Sequence, residues 1–326
     1  MHWVWLTLIC AAALASADAA TKAWLRGMSA TRLLLVRFSL SGLMLLPWLL
    51  SLPALGSLSP ALWGWLAILL PLELSAMALY LIAIRDHPLS LTLPYLAFTP
   101  AFVLVIAFFL LGETSTWLGA LGVLFIVAGA WLLNAGAAEG KDWRGWLRPL
   151  QAILWEPGSR LMLGVALIYA VTASLSKAAL TYLEPTQFGA LYFALLGALA
   201  LGIFFVTEVW RTRRPAGTFS HPASPGIMPD DTLLLGSNPS QRVTQLAPWH
   251  LAAAVVLVAA LNALMVLTHF LAIEQANVAY MIAVKRTSLL FGLLYGFVCF
   301  REPRMRQRLP AAGLMLIGVF LIAGSD

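Results

Sequence analysis

Long apolar runs separated by short polar stretches are the main pattern along the chain. A helix of about 20 residues crosses a hydrocarbon core. Because backbone groups in lipid must pair within their own segment, each run of that length is predicted to be a helix. Prolines inside the runs, such as Pro71, Pro94 and Pro100, are tolerated where neighbouring helices satisfy the freed carbonyls. Ten runs qualify, at residues 3–21, 30–52, 61–84, 90–111, 115–134, 160–180, 186–209, 249–272, 278–300 and 308–324.

The first run has a second interpretation. The stretch "MHWVWLTLICAAALASADAA" ends in small residues that resemble a signal-peptide cleavage site. A signal peptide starts with positive charge, whereas residues 2–9 contain no Lys or Arg. We therefore expect a membrane helix here, with a cleaved signal peptide as the alternative.

Two stretches are too polar to lie in a membrane. Residues 135–159 mix charges, glycines and tryptophans and are predicted to connect two parts of the chain. Residues 211–248 are rich in Pro, Ser, Gly, Asp and Arg and are predicted to form a flexible loop. This loop is either a tolerated surface insertion or a regulatory segment.

Composition places the chain in the membrane class. Of its 326 residues, 61% are hydrophobic and 10% charged, and the mean hydropathy is +0.88. Soluble domains are about half apolar and a quarter charged. The net charge of +6 indicates loop bias rather than a nucleic-acid partner. The two cysteines, Cys10 and Cys299, are isolated, which excludes a disulfide framework or zinc spacing. P-loop, GxGxxG, HExxH and GxSxG motifs are absent, so we expect no metal or cofactor.

The runs divide into two halves of five. An offset of 189 residues pairs Glu113 with Glu302, and the first two runs align at an offset of 155, which pairs Lys22 with Lys177. The difference of 34 residues is close to the length of the 211–248 loop, so one insertion explains both offsets. Because five is odd, the second half enters the membrane upside down. The predicted fold is an all-α integral membrane protein of ten transmembrane helices in two inverted repeats, residues 1–134 and 160–326, as in secondary transporters.

Basic residues predict the orientation. The connections after the first, third, fifth, seventh and ninth runs carry sixteen of the twenty Lys and Arg residues, and such connections face the cytoplasm. Both termini are then outside. The sixteen are Lys22, Arg26, Arg32, Arg85, Lys141, Arg144, Arg148, Arg160, Arg211, Arg213, Arg214, Arg242, Arg301, Arg304, Arg306 and Arg308.

Four stretches resemble the EamA branch of the drug/metabolite transporter superfamily. They are "DAATKAWLRGMSATRLLLVRF" (18–38), "LAFTPAFVLVIAFFLLGETSTWLGALGVLFIVAGAWLL" (96–133), "AAVVLVAALNALMVLTHFLAIEQANVAYMIAVKRTSLLFGLLYGFVCFREP" (253–303) and "LPAAGLMLIGVFLI" (309–322). The resemblance implies a ten-helix transporter with a central cavity lined by spans 1, 3, 4, 6, 8 and 9. It also implies that spans 5 and 10 pack at the periphery and that both ends often lie in the cytoplasm. The substrates it implies are amino acids, other metabolites and toxic compounds, which are often exported.

Ionisable residues inside spans are the strongest functional candidates, because a charge in a bilayer is costly and usually faces a cavity or another charge. Glu73 lies near the middle of the third run and is a candidate proton carrier or a member of a structural ion pair. Lys285 and Arg286 lie in "IAVKRTSLLFG" in the ninth run, about 100° apart on a helix. We expect Lys285 to face the cavity opposite Glu73 and to bind a substrate carboxylate or phosphate. Arg286 is expected to hold a structural partner.

Other polar residues complete the candidate site. Asn262 matches Glu73 at the 189-residue offset and either binds substrate or joins helices. Asp18 precedes Lys22 by four residues, which favours an ion pair within one helix, and Arg37 is a further structural or coupling charge. The remaining candidates for the cavity lining are Tyr80, Tyr95, Tyr169, Ser174, Lys177, His269 and Tyr280.

Residues at span ends and small residues are expected to be structural. Glu113 and Glu302 lie at span ends and are predicted to pair with loop arginines. Glycines in spans 5 and 10 are predicted to allow close helix packing, either within the chain or at a dimer seam. These glycines are Gly122, Gly129, Gly313 and Gly318.

These features predict a secondary transporter that exports a small zwitterionic or anionic metabolite, such as an amino acid, by alternating access, with proton exchange as a candidate driving force. The alternatives are a lipid or lipid-linked carrier of the flippase type, an integral-membrane enzyme, and a sensor or scaffold that transports nothing. No HxxxxD-type motif or metal cluster supports an enzyme. The expected partners are a small-molecule substrate and membrane lipid, in a monomer or homodimer. The expected location is the plasma membrane, as a multi-pass protein of the bacterial inner membrane.

Overall fold

The computed structural model describes residues 2–25, 28, 30–86, 93–135, 156–213, 248–299 and 308–325. Within these ranges all regular structure is helical and no strand occurs. The α-helices are α1 His2–Trp24, α2 Ala30–Leu35, α3 Ser41–Met44, α4 Leu46–Leu50, α5 Pro60–Asp86, α6 Thr99–Leu111, α7 Trp117–Ala135, α8 Pro157–Ala179, α9 Pro185–Arg213, α10 Pro248–Gln275, α11 Val278–Lys285, α12 Ser288–Val298 and α13 Leu309–Ala323.

Several helices have the length and composition of membrane spans. Six helical stretches qualify: His2–Trp24, Pro60–Tyr80, Pro157–Tyr182, Pro185–Val206, Trp249–Gln275 and Val278–Val298. Three shorter apolar stretches are Tyr95–Leu111, Trp117–Leu133 and Leu309–Ala323. The chain is therefore an all-helical, multi-pass membrane protein.

The run predicted at residues 30–52 is not one continuous α-helix. A π-helical turn at Val36–Leu40 separates α2 from α3, and Pro47 lies in the first turn of α4. A π-helical turn contains one more residue than an α-helical turn, so it changes which side chains share a face. This turn determines where Arg37 points.

The ninth run is also interrupted. Helix α11 ends at Lys285 and α12 begins at Ser288, with Arg286 and Thr287 between them. Short-range bonds bridge the break: Arg286 N–H donates to the Ala283 carbonyl at 2.9 Å and Thr287 N–H to the Val284 carbonyl at 2.9 Å. The two basic residues of this run thus lie at a helix end rather than inside a helix.

Glycines let α7 and α13 pack closely, as predicted for the interior of the chain. A Cβ atom on Gly122 would lie 2.7 Å from the Gly318 carbonyl oxygen, and one on Gly129 would lie 2.7 Å from the Ala311 carbonyl oxygen. A Cβ on Gly313 would meet no atom within 4 Å, so its close-packing role is not seen.

The helices around the molecular centre come from both halves of the chain. Helix α1 packs along α10, and α8 packs along α5. The π-helical turn packs against α9 and α10. Together these helices surround a cavity whose lining combines apolar side chains with several charged ones.

Two predicted segments lie largely outside the described residues. Of the 211–248 loop, residues 211–213 continue α9 and residue 248 begins α10. Of the 135–159 connection, residues 136–155 lie outside, and α8 begins at Pro157. Glu302 also lies outside the described residues.

Candidate functional site

A cavity of about 320 Å³ lies between the helices of the two halves. This volume is near the lower end of the range for small-molecule sites, about 300–1,000 Å³. The lining residues are Leu14, Arg37, Phe38, Glu73, Met77, Thr99, Tyr169, Thr172, Ala173, Ser176, Tyr192, Phe193, Asn262, Met265, Val266, His269, Phe270, Ile282, Lys285, Arg286 and Ser288.

The helix break between α11 and α12 brings two cations to the cavity. Lys285 Nζ lies 3.3 Å from His269 Nδ1 on α10. Arg286 Nη2 donates to the Thr99 hydroxyl on α6 at 2.7 Å. The predicted structural partner of Arg286 is thus found, but Arg286 lines the cavity as well.

One carboxylate is among the lining residues, and it comes from the middle of α5. The Tyr192 hydroxyl donates to Glu73 Oε2 at 3.5 Å. Thr172 lies beside the same carboxyl group, and Lys285 interacts with it electrostatically. The predicted juxtaposition of Glu73 and Lys285 is therefore present, since both line one cavity.

The π-helical turn presents Arg37 to the cavity. Asn262 on α10 donates from Nδ2 to the Arg37 carbonyl oxygen at 2.7 Å and to Ser41 Oγ at 3.2 Å. Ser41 in turn donates to the Ala259 carbonyl oxygen at 3.1 Å. Asn262 is 4% exposed, and its hydrogen bonds join two helices. It is also one of the residues that line the cavity. Arg37 forms an ion pair with Asp18 of α1, across two helices, whereas the sequence spacing favoured Lys22 as the partner of Asp18.

Aromatic rings form the apolar part of the lining. The Phe38 and Phe193 rings lie 5.9 Å apart between centroids. The Tyr192 ring meets Phe193 at 6.1 Å and Phe270 at 6.2 Å, both edge to face. The cavity is thus lined by both aromatic rings and charged groups.

Five of the ten predicted binding or coupling residues line the cavity and five do not. The five in the lining are Glu73, Tyr169, Asn262, His269 and Lys285. The prediction that Tyr80, Tyr95, Ser174, Lys177 and Tyr280 complete the lining is corrected by the structure, since none of them is among the lining residues.

The residues that were expected in the lining but lie outside it have other surroundings. Tyr95 is fully buried and its ring meets Trp131 edge to face at 5.6 Å. The Ser174 hydroxyl donates to the Ala170 carbonyl oxygen of its own helix at 3.0 Å. Tyr80 lies near the charges of Asp18, Arg37 and Arg286 without reaching the lining.

Lys177 belongs to a junction at one end of the bundle. Its ammonium group lies 2.5 Å from Glu113 Oε1 and also donates to the Ala276 carbonyl oxygen. Glu113 Oε2 accepts a hydrogen bond from the Val278 N–H at 2.9 Å, at the start of α11. The expected partner of Glu113 was a loop arginine; the structure corrects this to Lys177 of α8.

Gly112 and Tyr280 complete this junction. Gly112 ends α6 with φ of +66°, in the left-handed region that glycine favours, and so turns the chain toward Glu113. The Tyr280 hydroxyl accepts from the Thr116 N–H at 2.8 Å. We call these contacts of Glu113, Lys177, Ala276, Val278 and Tyr280 the buried junction.

The elements that line the cavity differ from the expectation. The resemblance implied spans 1, 3, 4, 6, 8 and 9, whereas the π-helical turn and α9, from the second and seventh runs, also contribute. Tyr192 and Phe193 of α9 are among the lining residues that sequence reasoning missed, as are the hydroxyl residues Thr99, Thr172 and Ser176. A signal was available, since Tyr192 matches Arg37 at the 155-residue offset.

The described residues contain no group of three or more His, Cys, Asp or Glu side chains that could hold a metal ion. The polar groups of the lining are instead three cationic side chains, one carboxylate, one amide, one imidazole and several hydroxyls. Such groups suit recognition of an organic molecule by hydrogen bonds and charge.

Comparison with known proteins shows what the chain is similar to. The EamA-like transporter family matches residues 1–135. A probable 4-amino-4-deoxy-L-arabinose-phosphoundecaprenol flippase subunit, ArnE of Enterobacter sp. (strain 638), is 36% identical over 75 residues, which are 23% of this chain and 70% of ArnE. A crystal structure of another protein superposes with a TM-score of 0.68 at 15% identity, over 98% of this chain and 94% of that chain. At that identity the superposition shows a shared fold and nothing about function.

Proposed function

We propose that this chain, which belongs to the EamA-like transporter family, is a secondary transporter that exports a small zwitterionic or anionic metabolite by alternating access. The observation that carries the proposal is one cavity at the centre of a membrane bundle, lined by Glu73, Lys285 and Arg286. Charges are costly inside a bilayer and mark substrate or ion pathways. The family points to a transporter rather than to an enzyme.

Ten membrane crossings in two inverted repeats are the architecture we propose for this activity. Residues matched by the two sequence offsets line the same cavity from opposite halves, which supports a two-fold relation around it. The matched lining pairs are Leu14 with Tyr169, Arg37 with Tyr192, Phe38 with Phe193, Glu73 with Asn262, Met77 with Val266, and Thr99 with Ser288.

Backbone packing supports the same relation. Gly42 and Gly197 match at the 155-residue offset. A Cβ on Gly42 would lie 3.2 Å from the Phe193 carbonyl oxygen, and one on Gly197 would lie 3.1 Å from the Phe38 carbonyl oxygen. Since Phe38 and Phe193 are themselves matched, each half makes the same contact with the other. Two such halves can rock about a central site.

The proposed setting is the bacterial inner membrane with both termini outside, on the strength of the basic residues in alternate connections. The sequence has no P-loop, so we propose that an ion gradient drives transport. Glu73 is the candidate proton carrier, because a carboxyl group in a membrane cavity can exchange a proton when substrate binds.

Transport by proteoliposomes tests the proposal. The purified protein is reconstituted, the vesicles are loaded with a panel of radiolabelled amino acids and organic acids, and efflux is measured with and without a proton gradient. We expect efflux of at least one compound, and a loss of at least tenfold in Lys285→Met, because that change removes a cation from the cavity. Lys141→Met, in the polar connection between the halves, is the control and should transport as the wild type does. Wild-type rate and affinity in Lys285→Met would contradict the role of Lys285.

A second candidate function is transport of a lipid-linked molecule. The similarity to ArnE favours it, and so does an apolar groove of about 970 Å³ between α1, α12 and α13. Thr287 lines this groove, while its neighbours Arg286 and Ser288 line the cavity. The groove and the cavity are therefore separated by this one segment, and the groove could hold the lipid chain of a substrate whose polar group lies in the cavity. Protein-dependent movement of a fluorescent polyprenyl phosphate across the same vesicles, without efflux of any soluble compound, would favour this second function.

A further inference from the structure

Resting on the proposed transport function, we infer that Glu73, Tyr192 and the surrounding aromatic rings form an ammonium-binding subsite. The substrate is then a zwitterion, with an amino group held here and an acidic group held by Lys285 and Arg286. A simple organic anion would leave the subsite unfilled.

Among the described residues no cation lies within ion-pairing distance of the Glu73 carboxylate, and Lys285 interacts with it at longer range. Arg37 is already paired with Asp18, and Arg286 donates to Thr99. The Tyr192 hydroxyl donates to Glu73, and the Thr172 hydroxyl lies beside the same carboxylate. A carboxylate has about four acceptor positions, so two neutral donors leave part of its capacity to a ligand in the cavity.

Aromatic rings line the same cavity as this carboxylate. The lining contains five Phe and Tyr rings: Phe38, Tyr169, Tyr192, Phe193 and Phe270. The Tyr192 ring meets Phe193 at 73° and Phe270 at 84°, so ring faces are directed in several directions. The face of an aromatic ring carries negative partial charge and attracts an ammonium group. Rings combined with a carboxylate therefore recognise a cation by two compatible interactions.

The two-fold relation places different chemistry at equivalent positions. The Tyr192 hydroxyl donates to Glu73, and their matched residues, Arg37 and Asn262, also contact each other. In this second contact the Asn262 amide donates to the backbone carbonyl of Arg37, whose guanidinium pairs with Asp18. The lining therefore carries a carboxylate at Glu73 where the matched residue, Asn262, carries a neutral amide. This difference gives the Glu73 side of the cavity a negative group that can bind a cationic end of a substrate.

A different reading of the same residues assigns Glu73 to Lys285 as a permanent counter-ion, because the two interact electrostatically. In that case an amino group on the substrate contributes nothing to binding. Lys285 Nζ, however, is directed to His269 at 3.3 Å, and Glu73 is directed to Tyr192. The two readings predict different ligand preferences.

Ligand binding to the purified wild-type protein separates them. The probes are matched sets of L-leucine, L-threonine and L-phenylalanine with their 2-hydroxy acids, in which a hydroxyl replaces the ammonium group, and with the corresponding amines, which lack the carboxylate. Binding is measured as a shift of the unfolding midpoint across a concentration series, since a ligand that binds the folded state stabilises it. We expect an amino acid to bind at least tenfold more tightly than its 2-hydroxy acid.

Variants assign the preference to the subsite. Glu73→Gln should reduce the preference for the amino acid to threefold or less, with affinity for the 2-hydroxy acid retained. Phe270→Leu keeps an apolar side chain without a ring and should reduce the preference partly. Phe109→Leu, on α6, is the control, since Phe109 is 81% exposed and lies outside the cavity. It should bind as the wild type does.

The outcomes separate this inference from the proposed function. If wild-type protein binds amino acids and 2-hydroxy acids equally, the ammonium subsite is wrong and transport of a small anion stands. If Glu73→Gln keeps the full preference, the subsite lies elsewhere and the inference is also wrong. If no probe of any set binds or is transported, both the subsite and the proposed function for such metabolites are overturned.

Discussion

Two ion pairs at different places in the bundle show opposite uses of charge. Glu113 and Lys177 have side chains that are 15% and 22% exposed, whereas Asp18 and Arg37 are 57% and 30% exposed. Both pairs join helices that are distant in sequence. They differ in what else each charged group binds.

Both members of the Glu113–Lys177 pair also bind backbone groups. Lys177 also donates to the Ala276 carbonyl, and Glu113 accepts the first free N–H of α11. A carboxylate at a helix N-terminus is further stabilised by the helix dipole. The buried junction thus ties α6, α8 and the start of α11 together, and so connects the two halves.

The Asp18–Arg37 pair has a freer setting. Arg37 lies on a π-helical turn and lines the cavity, while Asp18 lies on the neighbouring α1. An exposed pair contributes little to stability, about 0–1 kcal/mol, but it can hold a cation near a substrate. The Glu113–Lys177 pair therefore holds helices together, whereas the Asp18–Arg37 pair positions a cation at the cavity.

The largest effect on stability is expected at the buried junction. In Glu113→Gln the Lys177 ammonium loses its charged partner while it remains mostly buried. Loss of one member of a buried pair costs about 3–5 kcal/mol, and because both side chains retain some exposure we expect about 2–3 kcal/mol here. Chemical unfolding in detergent micelles measures the change. Glu274→Gln, an exposed glutamate on α10, is the control, and equal stability of the two variants would show that the junction is not structural.

A smaller effect is expected at the other side of the same junction. Tyr280 is 4% exposed, and its hydroxyl accepts from the Thr116 N–H at 2.8 Å. Tyr280→Phe removes this acceptor with little change in packing, so the free energy of unfolding should fall by about 1 kcal/mol. The same unfolding experiment measures it, with Tyr182→Phe, which is 42% exposed, as the matched variant. Equal stability of the two variants would show that the Tyr280 hydroxyl does not stabilise the junction.

The sequence predicts where the helices and the buried charges lie, but it does not predict which residues pair with each other. The apolar runs located the helices, because lipid forces backbone groups to pair within a segment. The cost of a charge in a bilayer pointed to Glu73 and Lys285, which share the cavity. These predictions follow from rules that act on single segments.

The errors arise where contacts depend on tertiary packing. Tyrosines within apolar runs look the same in sequence whether they line a cavity, as Tyr169 does, or fill the core, as Tyr95 does. Lys177 was placed in the lining because nothing local showed that Glu113 would reach it. The π-helical turn at Val36–Leu40 has no strong sequence signal, so the direction of Arg37 could not be derived.

The smallest effect on stability is expected at the exposed pair, and it tests most directly whether the two pairs differ in role. Asp18→Asn removes the charge opposite Arg37, yet water can solvate a guanidinium at this exposure, so the free energy of unfolding should change by less than about 1 kcal/mol. The small loss should shrink further in high salt, because exposed pairs are screened. Chemical unfolding at low and high salt measures both effects, with Ser75→Ala on the exposed surface of α5 as the control. A loss as large as that of Glu113→Gln would mean that both pairs are structural and that Arg37 is held by Asp18 rather than presented to the cavity.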